Sequence, residues 1–293
     1  MLNKFTNIVI GGSGFVGSKL CQALNKEGGS VLSIANSTNP EQKNINQEIC
    51  DVNEIIKLTK LLKGGENIFI LIGQTHPKFS KKNELNNIKN IIRSIDIKIT
   101  KKIFYFSSIH VYGETNQKVK ENSLCCPVDE YGKFKLESEK LFLKINIPVI
   151  IIRPTNIYGN PGNKGFIGIV FDGLFNNEIL NINNGGKQKK DFIIIDDLIN
   201  ALLAIKKLAD KNDIINISTG KSDSIIDIVK IIEKVADRKI DYQLDKTIQK
   251  IEVKNNYIDN SKLRQKYRYI PKFDLEKGLK LTYKRYLEYY KKK

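Results

Sequence analysis

Short runs in which nearly every position is apolar recur through the first half of the chain, separated by longer stretches with one apolar face. The runs at 7–10, 30–35, 67–72, 103–106 and 149–152 are rich in Ile, Val and Phe and apolar on both faces. Strands of a parallel sheet covered by helices on both sides carry that pattern, so five buried parallel strands are predicted. Between them, apolar positions fall three and four apart at 15–25, 52–62, 85–95 and 133–143, which predicts helices. Strand alternating with helix points to a doubly wound α/β sheet.

The character changes after Arg153 and Pro154. Residues 156–164 hold glycines and a proline among asparagines and read as a loop. The pattern then predicts a helix at 168–175, a strand at 192–195, a helix at 197–208, a strand at 214–217 and helices at 224–235 and 275–290. No low-complexity linker separates the halves, so a second lobe is expected to be interleaved with the first. The expected division is 1–159 with 191–219 for the sheet domain, and 160–190 with 220–293 for the lobe. There is no internal repeat.

Composition narrows the picture. The longest apolar run falls short of a membrane span, which predicts no integral membrane association, and the N-terminus does not read as a signal peptide. Cys21, Cys50, Cys125 and Cys126 form no C-x-x-C pair, and the histidines are His76 and His110. Neither a zinc site nor a disulfide framework is expected, and a reducing cytoplasm fits. The vicinal Cys125 and Cys126 read as two inert thiols. The net charge of +17 comes from lysines scattered along the whole chain, so it reads as a solvated surface and not as a nucleic-acid interface. Tyr283, Tyr286 and Tyr290 follow helical spacing, which predicts a packed face.

Candidate chemistry begins at the first strand. It runs into Gly11-Gly12-Ser13-Gly14-Phe15-Val16-Gly17, and a helical pattern follows at once. Glycines there let the backbone turn tightly and approach a pyrophosphate, and the helix N-terminus offers N–H groups and the positive end of its dipole. A dinucleotide site is predicted on Gly11, Gly14, Phe15, Val16 and Gly17. The acidic residue that holds an adenosine ribose about 20 positions further on is missing. Asn36 stands there and can bond a hydroxyl, and no arginine is near to meet a 2′-phosphate. NAD is therefore favoured, with NADP as the alternative.

Tyr131 and Lys135 lie four apart, on one face of a predicted helix. A lysine ammonium beside a phenol stabilises the phenolate and makes it a usable general base. Tyr242 with Lys246 and Tyr289 with Lys293 share the spacing. What singles out Tyr131 is the upstream segment Ser107-Ser108-Ile109-His110, which places a serine where parallel strands end and ligands bind. His110 is a candidate substrate contact.

On these residues the chain resembles the extended short-chain dehydrogenase/reductases, and within them the NAD-dependent nucleotide-sugar epimerase/dehydratase group. The glycine loop is similar to that family's phosphate loop. Asp51, followed by Val52, lies where its adenine-contacting aspartate lies, and Ser108, Tyr131 and Lys135 match its catalytic triad. The run from Arg153 through Pro154 and Asn156 to Gly159 resembles its R-P-x-N-x-Y-G segment, and Gly186 to Asp197 resembles its G-x-Q-x-R-D-F and D-D segment. Asp259, Ser261 and Lys262 resemble its late D-x-S-K signature. The resemblance implies a Rossmann-type domain with a smaller C-terminal substrate-binding lobe, a bound NAD, a nucleotide-sugar substrate and a homodimer. It implies cofactor contacts from Asp51, Val52, Tyr131, Lys135 and Pro154, and substrate contacts from Ser108, His110, Asn156 and Lys190. Lys190 replaces the usual arginine and lacks its bidentate fork. Only Lys250 or Lys254 is near the place of a second phosphate-binding arginine. Ile109 and His110 replace the acidic pair of the dehydratase branch, which argues against 4,6-dehydration. The implied activity is nucleotide-sugar epimerisation at C4. A nucleotide-sugar 4-ketoreductase is the first alternative and a noncatalytic dinucleotide-binding regulator the second.

Overall fold

The computed structural model describes residues 5–73, 79–115, 117–245, 255 and 257–292. In chain order its strands are β1 Phe5–Ile10, β2 Val31–Ala35, β3 Asn46–Ile49, β4 Gly65–Ile70, β5 Lys102–Phe106, β6 Val149–Pro154, β7 Asn156–Tyr158, β8 Leu180–Asn183, β9 Lys189–Lys190, β10 Phe192–Ile194, β11 Asp213–Ile217, β12 Asp223–Ser224 and β13 Tyr242–Asp245. The α-helices are α1 Phe15–Lys26, α2 Ile55–Leu62, α3 Lys81–Ser94, α4 Glu130–Phe142, α5 Phe166–Asn176, α6 Ile195–Leu208, α7 Ile225–Ala236, α8 Ser261–Gln265 and α9 Leu275–Tyr290.

Seven strands form one parallel sheet in the order β11-β6-β5-β4-β1-β2-β3. Strand β1 pairs in parallel with β2 on one side and β4 on the other. Its reversal of strand order there is a switch point, at whose C-terminal edge open α/β sheets bind ligands. Ile8, Ile10, Ile68, Ile70, Ile103 and Ile151 are buried in one core, and Phe69 stacks on Phe104 from the neighbouring strand at 4.4 Å. Helix α1 buries Gly17, Leu20, Cys21 and Leu24, the one-face spacing of an amphipathic helix.

The chain divides into two compact units. The first comprises 1–111, 130–153 and 205–215, and the second 112–129, 154–204 and 216–293. The second has its own core, in which α5, α7 and α9 meet through Phe171, Ile228, Ile232 and Tyr286. Phe171 stacks on Tyr286 at 4.9 Å and Phe175 on Tyr290 at 4.6 Å, so the tyrosines of α9 form the packed face their spacing predicts.

Two expectations need correction. Residues 156–164 are not loop throughout, because Asn156–Tyr158 pairs in parallel with Phe192–Ile194. Backbone hydrogen bonds to a partner 36 residues away override local turn chemistry. Helix α3 begins at Lys81, not at 85, because the Ser80 hydroxyl accepts the Asn83 amide as an N-cap. The edge strand β3 has an exposed, polar sequence with no alternating pattern, and so gave no signal. Among the described residues no helix is long and apolar enough to cross a membrane.

Candidate active site

Strand β1 ends at Ile10, and the chain turns through Gly11 at a φ of 85°, a conformation open to glycine at little cost. Gly11 and Gly12 donate their amides to the Ile34 carbonyl at the end of β2. Two side chains that sequence reasoning missed hold the turn from outside. The buried Gln42 donates to the Gly12 carbonyl at 2.9 Å, and Asn39 donates to that of Ser13 at 3.3 Å. A Cβ on Gly17 would sit 2.1 Å from the Gly11 carbonyl oxygen, so the third glycine is what lets α1 start directly under the turn. Gly14 caps that helix without a side-chain bond, and the first turn carries no acidic residue. The helix N-terminus is thus left to meet an anion with its own amides.

Above the turn lies a hollow of about 320 Å³, lined by Gly11, Gly14, Asn36 and Val52 among the predicted residues. Glu84 and Asn87, three apart on α3, line it as well and were missed. The predicted helix began at 85 and left Glu84 outside it. Phe15, Val16 and Gly17 open α1. Asp51 lies between two lining residues, and its carboxylate accepts the backbone and side-chain amides of Asn53, both at 2.8 Å. Pro154 closes β6 and is buried. The wall of glycine turn, helix terminus and polar Asn36 fits a pyrophosphate with its attached ribose.

Ser108, His110, Tyr131 and Lys135 come together within the first unit. The Ser108 hydroxyl accepts the His110 amide at 3.2 Å. The His110 ring stands edge-on to Tyr131, with centroids 5.5 Å apart. Lys135 Nζ lies 5.6 Å from the centre of the Tyr131 ring and donates to the carbonyls of Ile72 and Phe106 at 2.9 and 2.8 Å. Burial pushes its ammonium down to about 7, against the opposing charges of Glu84 and Glu139.

One turn beyond Lys135, on the same helix, Glu139 anchors the base of this cluster. Its carboxylate accepts the Ser107 hydroxyl and receives Arg153 through both oxygens, Nε at 2.9 Å and the terminal nitrogen at 2.6 Å. Both ionic side chains are 3% exposed, so each offsets part of the other's cost of burial. The spacing Tyr131, Lys135, Glu139 on one helix face was the available signal.

The second unit holds the remaining predicted residues. Asn156 donates its amide to the Asp191 carbonyl at 2.9 Å. The buried Asp191 carboxylate accepts the Thr219 amide and hydroxyl and the Gly220 amide. Lys190 is 8% exposed and sits opposite Asp223 in a two-strand ladder. The acidic pair that follows has structural partners. Arg285 grips Asp196 with two bonds of 2.8 Å, and Asp197 accepts the Tyr269 hydroxyl and the Lys272 and Phe273 amides. His76, Lys246, Lys250, Lys254 and Lys293 lie outside the described residues.

Comparison with known proteins gives a consistent result. The model of the NAD dependent epimerase/dehydratase family matches residues 7–218. The chain is similar to a Methanocaldococcus jannaschii protein provisionally named a UDP-glucose 4-epimerase, with 31% identity over 93% of this chain and 95% of that one. It is also 31% identical to the ADP-L-glycero-D-manno-heptose-6-epimerase of Brachyspira hyodysenteriae, over 78% of this chain and 80% of that one. Among solved structures, the UDP-glucuronic acid 4-epimerase of Bacillus cereus, in complex with UDP-glucuronic acid and NAD, matches with a TM-score of 0.88 and 26% identity, over 97% of this chain and 100% of that one.

Proposed function

The chain belongs to the NAD-dependent epimerase/dehydratase family, and on that premise we propose that it is a nucleotide-sugar 4-epimerase that keeps NAD bound through its catalytic cycle. The observation that carries the reading is the linked set of Ser108, His110, Tyr131 and Lys135 in the same unit as the glycine-turn hollow. A regulator that only senses a dinucleotide has no use for such a set.

In this reading the glycine turn and the amides of α1 hold the pyrophosphate, and Asn36 bonds the adenosine ribose. Asp51 and Val52 flank the adenine, and Pro154 completes the cofactor contacts. The bound cofactor supplies a hydride acceptor for one face of the sugar carbon and a hydride donor to the other face once the keto sugar has turned. Tyr131 takes the proton from the sugar hydroxyl and returns it, acting as general base and then general acid. Ser108 donates a hydrogen bond to the reacting oxygen, and His110 contacts the sugar beside it. Lys135 keeps its charge close to the Tyr131 ring and orients the cofactor ribose. Asn156 and Lys190, in the second unit, hold the nucleotide sugar. That unit serves as the substrate-binding part, and the chain works as a homodimer in the cytoplasm.

An epimerase needs no outside reductant, because its cofactor is restored within each turnover. The test is incubation of the purified protein with UDP-, dTDP- and GDP-sugars and catalytic NAD. Interconversion of epimers is the expected result. If no sugar is converted, and a 4-keto nucleotide sugar is instead reduced with one NAD(P)H consumed per product, the protein is a ketoreductase.

A further inference from the structure

The buried lysine of the site has a surrounding that favours its charged form and a burial that opposes it. Lys135 is 2% exposed. Its ammonium lies 5.2, 5.4 and 5.6 Å from the ring centres of Tyr105, Phe134 and Tyr131, a cage that attracts a cation. Its two hydrogen bonds go to backbone carbonyls, which accept from an ammonium better than from an amine.

The charges facing it come from two helices. On its own helix, α4, stands Glu139, whose carboxylate is already engaged by Arg153. On α3 stands Glu84, which lines the hollow together with Ile72 and Gly73. Ile72 supplies one of the carbonyls that hold the ammonium. A Cβ on Gly73 would lie 3.4 Å from Lys135 Nζ, which puts the ammonium directly behind that wall. The two helices are tied further along by an ion pair of 3.1 Å between Lys81 and Glu137. The phenols of Tyr131 on α4 and Tyr105 on β5 are the other titratable groups facing the ammonium.

We propose that Glu84 is a positioning residue for Lys135, holding the buried ammonium in its charged form from the lining of the hollow that it shares with Ile72 and Gly73. Of the charges that oppose burial at Lys135, that of Glu84 is the largest. The catalytic consequence rests on the role given to Lys135 above: a charged lysine keeps the Tyr131 phenolate accessible. The pairing itself does not depend on that role.

The linkage has a definite sign. Glu84 raises the folded-state affinity of Lys135 for its proton. The stability it contributes is therefore present below about pH 7 and lost as pH rises through that value. Unfolding of the cofactor-free full-length protein by urea, compared for the wild type and Glu84→Gln, reads this directly. At about pH 6 the variant's unfolding equilibrium constant should be about fivefold larger or more, and at about pH 9 the two should nearly coincide. In a Lys135→Met background the difference should vanish at both. A penalty equal at the two pH values, or none at either, overturns the proposal. If the Lys135→Met protein does not fold, the first comparison still decides.

Turnover gives the second readout. The alkaline limb of the wild-type pH–rate profile should move to lower pH in Glu84→Gln by about one unit, the shift that matches the roughly fivefold change at about pH 6. An unmoved limb in an active variant removes the catalytic consequence. A wild type with no epimerase turnover instead defeats the functional reading, while the urea comparison still judges the pairing.

Discussion

In the proposed function, Tyr131 and Asn36 are the two side chains on which chemistry and cofactor choice turn most directly. Tyr131→Phe keeps the ring beside His110 and removes only the hydroxyl. Turnover should fall by about a hundredfold or more, while titration calorimetry should find NAD affinity nearly unchanged, because the proposed function assigns the pyrophosphate to the glycine turn. Near-normal turnover would remove Tyr131 from its role. Asn36 lines the hollow at the end of β2, where an acid would accept two ribose hydroxyls and repel a 2′-phosphate. Asn36→Asp should widen the preference for NAD over NADP by about tenfold, measured as the ratio of the two dissociation constants. An unchanged ratio would place the ribose elsewhere. Residue types could be read at this scale because their chemistry is specific: the sequence brought a serine, a tyrosine and a lysine forward as candidates, and the structure brings Ser108, Tyr131 and Lys135 together. What was not legible was Glu84, since nothing local in Lys-Asn-Glu-Leu tells a hollow-lining glutamate from one on a solvated helix face.

The central elements announced themselves through apolar runs, which predicted six of the seven sheet strands, β11 included. Strands β3 and β7 escaped because their pairing is set by distant partners and not by their own patterning, whereas β10, the partner of β7, was legible as the apolar run at 192–195. At this scale the strand–turn–helix junction gives a sharp contrast. A Cβ on Gly17 meets a backbone oxygen at 2.1 Å, whereas one on Gly14 meets its nearest neighbour, the Gly11 oxygen, at 3.3 Å. Backbone cannot step aside as a side chain can. Gly17→Ala should therefore lower thermal stability and abolish measurable NAD binding, and Gly14→Ala should keep the fold with a smaller loss of affinity. Equal behaviour of the two would contradict the geometry of the turn. The junction between α4 and β6 rests on the buried Glu139–Arg153 pair. Glu139→Gln strands a buried guanidinium and should cost about 3–5 kcal/mol in urea unfolding. A cost below about 1 kcal/mol would mean that water reaches Arg153.

For the whole molecule, the charge of +17 is spread along the chain, and many lysines sit in exposed pairs such as Lys133–Glu130 and Lys280–Glu276. Titration with duplex DNA should show weak binding that weakens steeply with salt, and tight sequence-selective binding would make the surface a functional one. The interleaving of the two units was legible in outline, from the lack of any linker. It was not legible that 112–129, 154–159, 191–204 and 216–219 group with the second unit, since that depends on spatial neighbours. Interleaving also has a consequence for the order in which the protein is made. Strand β6 ends at Pro154, and its outer neighbour β11 begins at Asp213. A ribosome must add about 60 more residues, at about 5–20 per second, before that neighbour emerges. For several seconds each nascent chain carries a strand with an open hydrogen-bonding edge, the kind of surface on which chains on one messenger stick to each other. Slow translation through this stretch lengthens that exposure, and a chaperone bound to the nascent chain shortens its reach.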